Sequence, residues 1–495
     1  MIAEPYIDAV VGTLAARRDE VVLISRDAPW RADDFLHCIH RYARALRSDG
    51  LGAGTLVALW APNTAQALAI RYAANLIGAA TCFLSTPATA EARAELLQQM
   101  APDLVVIFPE TVHLLPSSLT AAVMSVGETG RDFPRLDDLA AAASPRAVAS
   151  TARPHDLAVI ISSGGSTGVP KGSCRDFAAY ASLALSHSNP GRRQLVNGKL
   201  AYLSQVLVDQ TLTGGGVVVL RDHFDPADTL SQIERHRITD LFLVEPQLFA
   251  LMDHSGLEGA KPESLQRLLH IGASAPATLR RRAFERFGPV LVHTYGASEA
   301  GLVSRLGPDG YAADSDALCS AGQVLPGVEV RLRRADGAIA GAGGTGAIEV
   351  RSSATASGYR NAPERTAAAF ADGWYLSGDL GTFDAAGRLH VLGRAKDIVQ
   401  EGEKVISPTL IEELLCHERS VRCASVVRDV SERRWVALVQ PAKGVVDFAP
   451  CRSAIASTLG NAVADETMLI ERAAVPLTEQ GKPDRAAILC LASGS

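Results

Sequence analysis

Leu157-Ala-Val-Ile-Ile-Ser-Ser-Gly-Gly-Ser-Thr-Gly-Val-Pro-Lys-Gly172 runs from an apolar stretch straight into a hydroxyl- and glycine-rich loop. The short apolar run over 157–162 predicts a buried strand, so the loop opens at a sheet edge. Glycines let a backbone fold tightly and turn its N–H groups onto an anion. Ser163, Ser166 and Thr167 add hydroxyl donors and Lys171 adds a positive charge, a combination suited to a polyphosphate. It is not a P-loop, because Pro170 precedes the lysine and Gly172 follows it. Standing alone, the loop fits a Ser/Gly hairpin turn equally well.

Outward from it, strands and helices alternate. Residues 33–48 carry Phe35, Ile39, Ala43 and Leu46 at helical spacing, and 64–77 is a second helix rich in Ala, Leu and Ile. Residues 56–60, 81–84, 104–108, 216–220 and 240–244 predict strands, and 90–99 a further helix. Such alternation implies parallel sheets covered by helices. Residues 127–156, dominated by Ala, Ser, Pro, Arg and Asp, predict a long surface connection. Beyond about residue 320 the texture turns to short strands and glycine turns, including 328–333 and 347–350, as in an antiparallel sheet or barrel. The last hundred residues mix helix and strand. The expected fold is α/β: a large N-terminal domain (1–395) of mostly parallel sheets with a β-barrel-like subdomain, and a small mobile α+β C-terminal domain (396–495).

Composition narrows the function. The 48 Lys and Arg against 54 Asp and Glu leave a net charge of −6, with no basic cluster of the nucleic-acid-binding kind. No apolar run approaches a membrane span, the first ten residues lack a basic n-region, and the eight cysteines form no CxxC pair. A soluble cytoplasmic protein, monomer or homodimer, is expected.

Further motifs follow in order. His293-Thr-Tyr-Gly-Ala-Ser-Glu-Ala-Gly301 places Tyr295 to stack on a base, Ser298 as a hydroxyl donor and Glu299 as an oxygen ligand for Mg²⁺. Trp374-Tyr-Leu-Ser-Gly-Asp-Leu-Gly381 sets Asp379 in a turn, ready to accept from ribose hydroxyls. Gly393-Arg-Ala-Lys-Asp397 and Thr478-Glu-Gln-Gly-Lys-Pro483 complete the series. Three other features predict packing or solvation only. These are the i, i+3 pair His37 and His40, the turn 341–346, and the arginine run 280–282 as a solvated helix face.

With these five motifs in this order, the sequence from about residue 31 to 485 resembles the adenylate-forming (AMP-binding) superfamily of acyl-CoA synthetases, aryl-acid ligases and peptide-synthetase adenylation domains. The resemblance implies that Ser163, Gly164, Gly165, Ser166, Thr167 and Gly168 hold the β- and γ-phosphates, with Lys171 supporting the loop. It implies that Gly272, Ala273 and Ser274 line the adenine and acyl site and that Tyr295 and Gly296 meet the adenine. Ser298 contacts the α-phosphate, Glu299 binds Mg²⁺, Asp379 takes the ribose and Arg394 ribose or phosphate. Lys396 is the hinge, and Lys482 bridges substrate carboxylate and α-phosphate. Ser204, Gln205, Val208, Asp209, Ala297 and Leu302 are the implied acyl pocket.

The resemblance also implies the reaction: ATP-dependent activation of a small carboxylic acid to an acyl-adenylate, then transfer to a phosphopantetheine thiol. The cofactors are ATP, Mg²⁺ and CoA, CoA being the favoured acceptor and a separate acyl carrier protein the alternative. A catalytically dead ligand-binding homologue is the rival class. The sequence departs from the family at Tyr202-Leu-Ser-Gln205, where many members carry Pro-Leu-x-His, and lacks the Phe-Asp-x-Ser context of the amino-acid branch. A fatty or aryl acid without an α-amino group is therefore expected.

Overall fold

In the computed structural model the described residues are 4–117, 119–163, 171–259, 262–271, 276–313, 316–401 and 404–493. Two large sheets dominate. One runs, in spatial order, through Gln323–Val324, Gly301–Leu306, Leu291–Ala297, Arg267–Ile271, Asp240–Val244, Arg193–Val196, Val217–Leu220, Val21–Ser25 and Ala28–Arg31. Its central pairings are parallel and its edges antiparallel. The other runs through Gly358–Tyr359, Lys171–Asp176, Leu157–Ser163, Ala80–Phe83, Leu56–Trp60, Leu104–Ile107 and Ala122–Ser125, parallel except at the Lys171–Asp176 end.

Helices Tyr6–Ala16, Ala32–Ser48, Ala65–Leu76, Phe177–Ala184 and Leu203–Thr213 share one core with Val57 and Leu59 of the second sheet and Val218 and Leu220 of the first. They form the layer between the sheets. Helix 65–76 suits that place: Thr64 caps it by accepting the Ala67 N–H, and its small residues allow burial on every side.

Residues 328–394 supply a third, antiparallel sheet of five strands, with Val328–Arg333 paired to Gly346–Ser352 across the glycine turn. The chain from 404 onward builds its own apolar core around Trp435, Val439, Ile411 and Ile455. There the three-stranded sheet Val421–Asp429, Arg434–Pro441 and Thr467–Glu471 carries helices Pro408–Cys416 and Phe448–Leu459.

Three expectations need correction. The stretch 127–156 is not all connection, since Leu136–Ala142 is helical and buries Leu136 and Ala140. The arginine run is not simply solvated: Arg280 is buried and donates to the Ser320 carbonyl at 2.7 Å, while Arg282 pairs with Asp253. The hairpin Val21–Ser25/Ala28–Arg31 and the strand Arg193–Val196, passed over in the sequence, complete the first sheet. The hairpin turns at Arg26 and Asp27, both at positive φ without a glycine to mark the turn.

Candidate active site

Parallel strands deliver their carboxyl ends to one edge, where open α/β sheets bind ligands. Leu157–Ser163 is followed in the chain by residues 164–170, Arg267–Ile271 by 272–275, and Leu291–Ala297 by Ser298 and Glu299. Gly164, Gly165, Ser166, Thr167 and Gly168, with Gly272, Ala273 and Ser274, lie outside the described residues.

The turn after Leu291–Ala297 is tight because the strand pairs at once with Gly301–Leu306. A Cβ on Gly296 would stand 2.4 Å from the Gly301 carbonyl oxygen, so only glycine fits. This closure holds Ser298 and Glu299 at the apex. The Ser298 hydroxyl donates to the Ser162 carbonyl at 3.3 Å, on strand Leu157–Ser163. The Ser298 carbonyl accepts from the buried Arg175 guanidinium at 2.7 Å and from the Ser173 hydroxyl at 3.2 Å. Burial draws Arg175 down to about 10, opposed by Glu299.

Glu299 is buried, and Oε1 accepts the Tyr359 hydroxyl at 2.7 Å. Lys171 lies 5.1 Å from the centre of the Tyr359 ring, a cation–π distance. Asp379 Oδ2 accepts the Tyr295 hydroxyl at 2.7 Å. Its Oδ1 stands 3.2 Å from Arg394 Nε, but the geometry is not that of a hydrogen bond, leaving this buried oxygen unpartnered among the described residues. Burial raises the Asp379 carboxyl above its ordinary range, against Arg394, Tyr295 and Lys482. The Tyr295 ring is 4% exposed, packed with Val303, Ile348 and Tyr375. An adenine stack there has only a small part of the ring to use.

Lys482 arrives from almost the far end of the chain. Its ammonium sits among protein groups although the residue as a whole is exposed, and it lines an open cleft of about 560 Å³ together with Ser298. Burial and the Arg394 guanidinium pull the ammonium below the usual lysine range, while Glu299 and Asp379 pull the other way. Apolar Leu183, Leu207, Phe242, Leu302 and Val328 share the lining.

Of the expected acyl-pocket residues, Ser204, Ala297 and Leu302 line this cavity, as does Gly296. Gln205, Val208 and Asp209 do not. They occupy the other face of helix Leu203–Thr213, fully buried. A helix turns side chains 100° per residue, so positions adjacent in sequence part company. Asp209 is held by Arg71, with Nη1–Oδ1 and Nη2–Oδ2 both 2.8 Å, and by the hydroxyls of Tyr72 and Tyr180. Neither amide atom of Gln205 has a partner among the described residues.

Lys396 is exposed on the short 3₁₀ turn Ala395–Asp397, just after Gly393 with φ +125°. Asp397 is buried and pairs with Arg485 at 2.5 Å, tying this turn to the segment that carries Lys482. Sequence reasoning missed Arg175, Tyr359 and Glu479. None sits in a recognisable motif apart from Glu479, which adjoins the lysine loop and accepts the Tyr202 hydroxyl at 3.0 Å.

A nucleotide-sized cleft at the strand ends, entered by a lysine from a separately cored C-terminal segment, defines the adenylate-forming class of α/β enzymes. Residues 13–360 match the AMP-binding enzyme family, and the chain belongs to it. It is 28% identical to the medium/long-chain-fatty-acid–CoA ligase FadD8 of Mycobacterium tuberculosis, over 97% of this chain and 88% of that protein. It is 29% identical to a feruloyl-CoA synthase of Amycolatopsis sp., covering 82% of each. Among solved structures, the amide bond synthetase McbA from Marinactinospora thermotolerans superposes with a TM-score of 0.87 at 30% identity, covering 98% of this chain and 99% of that one.

Proposed function

We propose that this enzyme activates a hydrophobic carboxylic acid with ATP, giving acyl-adenylate and pyrophosphate, and then passes the acyl group to the thiol of CoA with release of AMP. The observation that carries the reading is the meeting of Lys482 and Ser298 on one cleft whose lining is largely apolar. A carboxylate nucleophile and the α-phosphate are both anions, so the protein's task is to position and neutralise them. Lys482 suits this as a compact point charge, and no general base is needed. Ser298 would orient an α-phosphate oxygen, and Arg394 would balance charge nearby.

The residues fit ATP. The unpartnered Asp379 Oδ1, buried beside Arg394, is an acceptor without a donor, and a ribose hydroxyl would supply one. The loop of Ser163 and 164–168 would hold the distal phosphates, with Gly272, Ala273 and Ser274 beside the base. The described residues hold no cluster of three metal-ligating side chains. A lone Glu299 accords with Mg²⁺ carried mainly by the phosphates, whose charge the ion would offset.

The cavity favours an aryl or fatty acid. Asp209, the one carboxylate at the expected acyl wall, is saturated by Arg71, Tyr72 and Tyr180 and unavailable to an α-ammonium. The names of the FadD8 and feruloyl-CoA relatives support both acid classes. The division into 1–395 and 396–495, with rotation at Lys396, would let the C-terminal segment insert Lys482 for adenylation and withdraw it for thiol transfer. The eight cysteines form no disulfide among the described residues, in accord with a cytoplasmic setting.

The likeness to an amide bond synthetase favours a second reading, in which an amine takes the adenylate. A separate acyl carrier protein is a third acceptor. A dead homologue is disfavoured, since Glu299, Asp379, Arg394 and Lys482 are all present. Pyrophosphate exchange across a panel of aryl, fatty and amino acids tests activation; CoA, a phosphopantetheinylated carrier and a simple amine, each added with the best acid, decide the acceptor. Exchange with none of the acids overturns the reading.

A further inference from the structure

Helix Ala277–Phe287 begins directly after the segment 272–275 and has no cap of its own. Its N-cap is Pro276, which offers no side-chain acceptor. The missing acceptor comes from 135 residues away. Glu413, on helix Pro408–Cys416 of the C-terminal segment, takes the Thr278 N–H at 3.2 Å and the Thr278 hydroxyl at 2.7 Å through Oε1. A carboxylate here satisfies an orphan donor and meets the positive end of the helix dipole. Exposed His417 lies 3.3 Å from the same hydroxyl.

Two more contacts cross between the same two parts of the chain. Asp253, at the end of helix Glu245–Met252, is shared between Arg282 at 3.0 Å and Arg422 of the C-terminal sheet at 2.5 Å. Glu479 accepts the Thr86 N–H at 2.6 Å and the Tyr202 hydroxyl at 3.0 Å. All three exist only while the C-terminal segment sits as it does here, with Lys482 on the cavity. Glu413 contributes little to the core of its own helix, whose inward face is Ile411, Glu412 and Leu415.

We infer that Glu413 is a positioning residue for adenylation: by capping helix 277–287 it latches the C-terminal segment in the orientation that presents Lys482, and it must let go before acyl transfer. The inference rests on the two-step reading above. If the segment swings away, the Thr278 N–H loses its partner and Glu413 returns to water, so the latch biases one orientation without entering the chemistry.

The test uses the full-length chain and the variants Glu413→Ala and Glu413→Gln. With the best acid, Glu413→Ala should slow pyrophosphate exchange roughly 2- to 30-fold, the range of a lost cap. Acyl transfer from supplied acyl-adenylate should be unchanged or faster. Glu413→Gln, which keeps an acceptor oxygen, should recover part of the loss. Equal loss in both half-reactions, or no loss in exchange, overturns the latch. A measurement without substrate decides independently: Glu413→Ala should speed hydrogen exchange of the Thr278 amide and trypsin cleavage at exposed Lys396, with an unchanged melting temperature. Wild-type-like exchange and cleavage overturn the latch even if every acid fails. Failure of every acid with faster exchange at Thr278 instead faults the activity and keeps the latch.

Discussion

Two charge clusters, one fully buried and one partly exposed, are built on opposite plans. In one the Arg71–Asp209 pair is 0% exposed, bidentate, and framed by Tyr6, Tyr72 and Tyr180, whose rings each lie 5.3–5.4 Å from the guanidinium. Both Asp209 oxygens are fully engaged. In the other Lys482, Glu299, Asp379 and Arg394 face one another with valences left over: Asp379 Oδ1 is unpartnered and Lys482 lines an open cleft. The first cluster pairs its charges with each other and joins four helices. The second keeps them in reserve, at a cost in stability, for a ligand that completes the set. Buried charge marks a site only where its partners run short.

The sharpest way to break this comparison is Asp209→Ala. It strands the Arg71 guanidinium in the core and should cost about 3–5 kcal/mol in urea unfolding. Activity per folded molecule should hold; a selective rise in KM for the acid would place Asp209 in the site after all. Lys482→Ala should show the reverse, slowing pyrophosphate exchange by roughly 10²–10³. Its stability should stay level or rise, because a desolvated cation has been removed. A Lys482 variant that unfolds as readily as Asp209→Ala would erase the distinction.

Lys396→Pro probes how the reserve cluster is assembled. Proline fixes φ near −65° and removes an N–H at the exposed turn. Thioester formation from supplied acyl-adenylate should fall by about an order of magnitude, while exchange stays largely intact. Undiminished transfer would mean that no rotation is needed at this residue.

Glu412 offers a smaller test between the two plans. Its Oε1 accepts the Val426 N–H at 2.8 Å while Oε2 has no partner among the described residues. Burial raises its carboxyl to about 7. A folded-state value above the unfolded one means that the native chain binds the proton more tightly. Its contribution is therefore full below about 4.5 and is lost as pH rises through 7. Glu412→Gln should flatten this slope and gain roughly 2–3 kcal/mol at pH 8 over pH 5 relative to wild type, measured by unfolding at the two pH values. Parallel pH profiles would show that Glu412 finds a partner.

Much of this was legible in the residues. Strands 56–60 and 240–244 and helices 33–48 and 64–77 follow from periodicity, because one-sided or full burial imposes a hydrophobic pattern that local sequence must carry. The order of the motifs led to the family. Acyl-pocket residues were less legible: Ser204 and Gln205 are neighbours in sequence, and a change of face on one helix sends one to the cavity and the other to the core. Arg175 and Tyr359 were invisible because their partners, Ser298 and Glu299, lie over a hundred and exactly sixty positions away respectively.

The sequence by itself determined the α/β alternation, the glycine that lets Leu291–Ala297 turn tightly at Gly296, and the set of charged and hydroxyl groups available to chemistry. These are local properties, set by side-chain volume, backbone freedom and spacing. Only the tertiary structure decided which charges close on one another and which stay open. Asp209 and Asp379 are the same residue type; the motif around Asp379 marks it for a ligand, but nothing next to Asp209 in the chain shows that its valences are already taken. Arg71 reaches Asp209 from 138 positions away with two matched hydrogen bonds, whereas Arg394 reaches Asp379 with an approach that leaves one oxygen free. Hydrogen bonding is directional and acts through space, so which partners meet, and at what angle, is settled only when the sheets and helices have packed.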